Sequence, residues 1–253
     1  MSARPSLRVL CASAACAAGI FAAAVPASAA VMVATYTGVI SSGSDTDDLF
    51  GLGGNLSGAT FSASFTYDTS IFDFHTTMDD GSSHYDRISG YSENTPIIAA
   101  SVTINGVTDV FRLDGVTYDF ARQQYNHTPT YDYSMSQVAG YDYDPVTSGY
   151  SFYEYAYVDF YSAAETPTSL TGAFDSGPSA AASQAQFLNY DAFNPDKGGY
   201  DNYYAFVGAP THLTVSAVDA GAVPEPGAWA LMIVGFAGLG ATLRRRGVAC
   251  GLA

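Results

Sequence analysis

The chain has 253 residues, 48% of them hydrophobic and 14% aromatic, with a formal net charge of −15. Nine basic side chains against 24 acidic ones repel phosphate backbones and anionic headgroups, which excludes nucleic-acid binding. The three cysteines, Cys11, Cys16 and Cys250, all lie near the ends, so no disulfide framework holds the central body.

Arg4 and Arg8 precede an Ala-rich apolar stretch from Val9 to Val25, followed by Ala27-Ser28-Ala29. This order predicts a signal peptide over residues 1–29, helical in its apolar part. It would be carried by the Sec translocon and cut by signal peptidase after Ala29, with Ala27 and Ala29 as the small residues at the cleavage site. Neither Cys11 nor Cys16 follows the Leu-x-Gly/Ala pattern of a lipoprotein, and both fall too early in the apolar run.

Residues 30–220 form the body, and one domain is the natural count, because no linker divides it and no fixed-period repeat is evident. From residue 31 to 220 it keeps four basic and 23 acidic side chains, a net charge of −19. Its pattern predicts an all-β fold, an antiparallel β-sandwich of the jelly-roll, Ig-like or lectin-like kind. Met32 to Ile40 is an expected strand. From Thr60 to Tyr67, Phe61, Ala63, Phe65 and Tyr67 share one face and Thr60, Ser62, Ser64 and Thr66 the other, as in a half-buried strand. Val102 to Ile104, Asn105-Gly106 and Val107 to Leu113 predict a hairpin with a type I′ turn. Further strands are expected at Val116 to Arg122, Thr130 to Val138, Tyr150 to Tyr161, Ser169 to Phe174, Ala185 to Tyr190 and His212 to Val218.

Three Gly/Ser/Asp-rich stretches, Ser41 to Ser57, Phe72 to Pro96 and Phe193 to Asn202, are expected as irregular loops, where a binding site would be placed. The first holds Asp45, Asp47 and Asp48, candidates for calcium or another metal. The EF-hand spacing is absent, and a solvated acidic turn is the alternative. The second gathers His75, Asp79, Asp80, His84 and Asp86 within twelve residues, metal-ligating types at a spacing that matches no metal motif. A polar loop accounts for them equally well. His127 and His212 stand apart, and no cofactor other than calcium is expected.

All 19 tyrosines fall between Tyr36 and Tyr204, many beside acids, as in Tyr131-Asp132-Tyr133 and Tyr141-Asp142-Tyr143-Asp144. From Tyr150 to Tyr161, Tyr153, Tyr155, Tyr157 and Tyr161 share one face and Phe152, Ala156, Val158 and Phe160 the other. An outward tyrosine row beside carboxylates is a carbohydrate-binding platform in one reading and ordinary strand-forming residues at a sheet surface in the other. The body has no Gly-x-Ser-x-Gly elbow, no His-Glu-x-x-His pair, no phosphate loop and no cysteine nucleophile. No enzyme is expected and no catalytic residue is assigned. A glycan-cleaving carboxylate pair stays open, because 23 acids allow many pairs.

The last segment, 221–253, is the most specific. Pro224 and Pro226 force Val223 and Glu225 into extended backbone. Gly227 to Leu243 then carries no charge, and 17 residues in a helix would span about 25 Å, enough for a marginal bilayer crossing. Arg244, Arg245 and Arg246 would stop it on the cytoplasmic side, leaving the body outside. Pro224-Glu225-Pro226, Trp229-Ala230, Gly235-Phe236, Leu239-Gly240 and the three arginines resemble the PEP-CTERM sorting signal in its PEPxxWA variant.

The resemblance covers about one tenth of the chain. It implies an exported protein of a Gram-negative bacterium, anchored in the inner membrane through a single transmembrane helix (227–243). An exosortase would process it near Pro-Glu-Pro and release it to the cell surface or extracellular matrix, among exopolysaccharides of a biofilm. An ordinary uncleaved membrane anchor is the alternative.

Overall fold

The computed structural model describes residues 30–113, 118–144, 149–162, 164–179, 183–194 and 199–218. The expected signal helix over 1–29 and the sorting tail over 221–253 lie outside the described residues. Among the described residues no helix is long and apolar enough to cross a membrane.

Twelve strands follow in order: β1 (Val31–Asp45), β2 (Thr60–Asp68), β3 (Phe74–Asp79), β4 (His84–Tyr91), β5 (Ile97–Ile104), β6 (Val107–Val110), β7 (Tyr118–Thr128), β8 (Tyr131–Asp144), β9 (Gly149–Ser162), β10 (Phe174–Asp175), β11 (Gln184–Asn194) and β12 (Gly199–Ala217). They form one antiparallel sheet in the order β3-β4-β7-β8-β9-β11-β12-β1-β2-β5-β6, with β10 paired to β12. The antiparallel all-β expectation holds. Two separate sandwich sheets are replaced by a single sheet curled over on itself, because β1 pairs with both β12 and β2 and so joins the two halves into one ladder.

Bulges between Thr37 and Gly38 and between Ile40 and Ser42 bend β1 against β12. At the first of them the chains press together so closely that a Cβ on Gly38 would sit 2.3 Å from the Ala209 carbonyl oxygen. Pro210, which has no amide proton to give to a ladder, sits opposite Gly38 at this irregularity.

Alternation builds the core. Along β2, Phe61, Ala63, Phe65 and Tyr67 are buried while their neighbours are not. Met32, Ala34, Tyr36 and Ile40 do the same on β1. The Phe187 and Phe206 rings stack at 4.7 Å, with Phe61 and Phe111 against them. Each such ring contributes roughly 1.5–3 kcal/mol by leaving water. The two halves of the curl meet through hydroxyls as well. Tyr36 of β1 bonds Ser134 and Ser136 of β8 at 3.0 and 2.9 Å, and burial pushes its phenol above the ordinary range.

The turn at Asn105-Gly106 is as expected, with φ of 50° and 77°. The expected strands at 60–67, 150–161 and 185–190 are present within slightly longer elements. Three expectations are corrected. The stretch from Phe72 to Pro96 contains the hairpin β3/β4. It reads as a loop because His84 and Asp86 take inward positions that an apolar pattern would fill. The stretch from Phe193 to Asn202 includes the ends of β11 and β12, which extend the hairpin past its apolar part. Ser169 to Phe174 is a turn that reaches strand geometry only at Phe174–Asp175, with the amide of Gly172 bonded to the Ser169 carbonyl at 2.9 Å.

Candidate functional site

The inner face of the sheet is apolar in the middle and polar at both ends. At one end, a cavity of about 370 Å³ is lined by residues that include Asp45, Asp109, Arg112, Glu154, Asn189 and Tyr204. Glu154 occupies an inward position of β9, between Phe152 and Ala156, and is only 5% exposed. Asn189 on β11 holds the centre. Its side-chain amide donates to Asp109 Oδ2 at 3.1 Å and to Glu154 Oε1 at 3.2 Å, so one nitrogen bridges two carboxylates. Tyr204 donates to the same Asp109 oxygen at 2.7 Å. Burial, then the Asp109 charge, pushes the Tyr204 phenol well above its ordinary range, so it stays a neutral donor.

Glu154 Oε2 also accepts the backbone amide of Arg112 at 2.5 Å. The Arg112 guanidinium lies 3.7 Å over the Phe152 ring and bonds Asp142 at 3.2 Å. One arginine therefore lines a cavity whose wall also holds Asp45, Asp47, Asp109 and Glu154. The cavity is rich in acceptors and negative in potential, and it suits cationic groups or the hydroxyls of a polyol.

On the outer face, tyrosines stand directly opposite one another across four adjacent strands. Tyr141 of β8 faces Tyr153 of β9, Tyr153 faces Tyr190 of β11, and Tyr190 faces Tyr203 of β12. Their ring centroids are 6.3, 5.9 and 4.9 Å apart. Tyr118 of β7 holds the register position next to Tyr141. Tyr203 also lines the cavity, so the row ends at its rim.

Of the sequence candidates, Asp45 is buried and accepts the Phe50 amide at 2.9 Å. Asp48, with φ 54°, accepts the amides of Gly53 at 2.6 Å and Gly54 at 3.3 Å. Both shape the turn after β1. Asp47 is exposed at the cavity wall. In the second stretch, Asp79 and Asp80 cap the β3/β4 turn, and the amide and hydroxyl bonds from Ser82 and the Ser83 amide hold Asp80 below the usual carboxylate range.

His75 bonds Asp86 at 2.8 Å, and Asp86 accepts the Leu170 amide at 2.9 Å. His84 is brought instead against His127, their rings stacked at 4.9 Å, and His127 bonds Asp132 at 2.9 Å. Asp132 also accepts the Thr166 amide at 2.7 Å. This second polar end thus ties the 164–171 segment to the sheet. Among the described residues, no three His, Cys, Asp or Glu side chains converge as a metal site.

Sequence reasoning missed Asp109, Glu154, Asn189 and the His84–His127 pair. The available signal was a carboxylate interrupting an apolar face at Glu154. His127 read as isolated because its partner lies 43 positions earlier in the chain and meets it only through the β4/β7 register. No protein family matches the chain, and no curated protein or solved structure shows significant similarity to it.

Proposed function

We propose that the chain is a noncatalytic exported protein of the cell surface or extracellular matrix. An exosortase sorts and processes it at the inner membrane, and its body is retained among exopolysaccharides. The observation that carries this reading is the sequence of the tail: Pro224-Glu225-Pro226, Trp229-Ala230, an uncharged run and Arg244 to Arg246, in that succession. A cysteine-free, strongly acidic body behind a signal-like N-terminus agrees with it. Deleting the exosortase from the producing strain is expected to leave a larger, membrane-bound species, detected by mass spectrometry of its two ends. An unchanged mass overturns the proposal.

A second reading, lectin-like carbohydrate binding, is favoured by the acceptor-rich cavity and by the tyrosine row that ends at its rim. The cavity has hydrogen-bond acceptors for sugar hydroxyls, and Tyr203 stands at its wall as an aromatic surface. A glycan array followed by calorimetry, with and without calcium, tests it. Sugar heat that disappears in Asn189→Leu supports this reading, and silence across the array favours a purely structural role.

A further inference from the structure

We infer that the outer tyrosine row is an oxidative cross-linking site, at which Tyr190 and Tyr203 couple through ring carbons ortho to their hydroxyls to form a dityrosine bridge between β11 and β12. Three observations carry it. The two residues are direct cross-strand partners, their ring centroids are 4.9 Å apart, and their planes differ by only 8°. Among the described tyrosine pairs this is the shortest and most parallel ring contact. The Tyr133–Tyr161 pair is 5.2 Å apart but tilted by 55°, and the Tyr133 hydroxyl is engaged by Asp159. Tyr155 and Tyr157 are nearly parallel, yet they are 6.2 Å apart and two positions apart on one strand.

The row also links further tyrosines to this pair. Tyr141 and Tyr153 stand 6.3 and 5.9 Å from their next neighbours, so a phenoxyl radical formed on either is one short electron transfer from the next ring. Both Tyr190 and Tyr203 are half-buried on the outer face, ordered by their neighbours and still partly open to solvent.

The chemistry balances with a peroxide as the oxidant, acting through a peroxidase. Each phenol loses one electron and its hydroxyl proton. The two ortho-carbon radicals join in one C–C bond, and each joined carbon then gives its hydrogen to its own ring oxygen, restoring two phenols. The protein loses two hydrogens in total, and the peroxide takes up two electrons and two protons to become two waters. The body has no cysteine, so this bond would supply in an oxidising surrounding the covalent closure that disulfides supply elsewhere.

The test treats the purified full chain with a peroxidase and limiting hydrogen peroxide. The expected product is a monomer lighter by two hydrogens, fluorescent as dityrosine, in which peptide mapping joins Tyr190 to Tyr203. Tyr190→Phe and Tyr203→Phe keep the stacked rings and are each expected to abolish that linked peptide, while Tyr155→Phe leaves it. Coupling mainly at Tyr131, Tyr133 or Tyr161, coupling only between chains, or no coupling under conditions that couple free tyrosine would each overturn the inference. None of these outcomes bears on export or tail processing, which the exosortase deletion tests separately.

Discussion

Tyr67 of β2 and Tyr125 of β7 meet hydroxyl to hydroxyl at 3.2 Å in the centre of the molecule, 58 positions apart in the chain. Tyr67 donates its own proton to the Leu170 carbonyl at 2.7 Å. A single pair of phenols thus fastens the two halves of the curled sheet and the 164–171 segment at one point.

Removing the Tyr67 hydroxyl leaves two buried polar groups without this partner. Tyr67→Phe is expected to cost about 1–3 kcal/mol, read from the midpoint of urea unfolding at constant slope. Tyr36→Phe, which abandons Ser134 and Ser136, belongs in the same range.

Alkaline pH acts on the same groups. Burial raises the phenols of Tyr36, Tyr125 and Tyr204 above the ordinary value of 10.0. The folded state then retains protons that the unfolded state releases, so stability is fully present below pH 10 and is lost as pH rises beyond it. The slope is roughly 1.4 kcal/mol per pH unit for each such phenol. Unfolding curves measured across this pH range, with the tyrosinate absorbance of these buried phenols appearing only on unfolding, check it. Tyrosinate absorbance from all tyrosines at pH values that leave the fold intact would refute it.

At the β5/β6 turn, Gly106 has φ 77° and nothing near the position of an added Cβ. Gly106→Ala therefore tests backbone strain alone, with an expected loss of about 1–2 kcal/mol by thermal or chemical unfolding. Val107 follows it on an exposed strand, and Val107→Ala is expected to change stability by no more than about 0.5 kcal/mol.

Asp132 accepts the Thr166 amide and pairs with His127. Asp132→Ala is expected to lower stability by about 1–3 kcal/mol and to speed hydrogen exchange at the Thr166 amide. Unchanged exchange at Thr166 would show that the segment is held by other means.

The central strands were legible from sequence because their inward positions are Phe, Ala, Val and Tyr at a period of two. The β5/β6 turn was legible because Asn-Gly has few other uses between β-rich runs. The β3/β4 hairpin was not, since its inward residues include His84 and Asp86, and no alternation rule anticipates buried polar groups satisfied by a distant segment. Leu170 lies in a turn rather than a strand for the same reason, because its amide is claimed by Asp86. The cavity depends on register. Asp109, Glu154 and Asn189 are strung over 80 positions: Glu154 and Asn189 meet as cross-strand partners on β9 and β11, and Asp109 of β6 reaches Asn189 from the far edge of the sheet. Tyrosine abundance pointed to the outer row, but its alignment across four strands required the pairing to be seen.

The first and last long strands lie side by side, Met32 opposite Ala217 at one end and Asp45 opposite Tyr204 at the other. Met32 and Ala217 therefore mark the pole of the sheet opposite the acidic mouth. With β1 spanning 15 residues and bent at two bulges, that mouth stands at most about 45 Å from this pole.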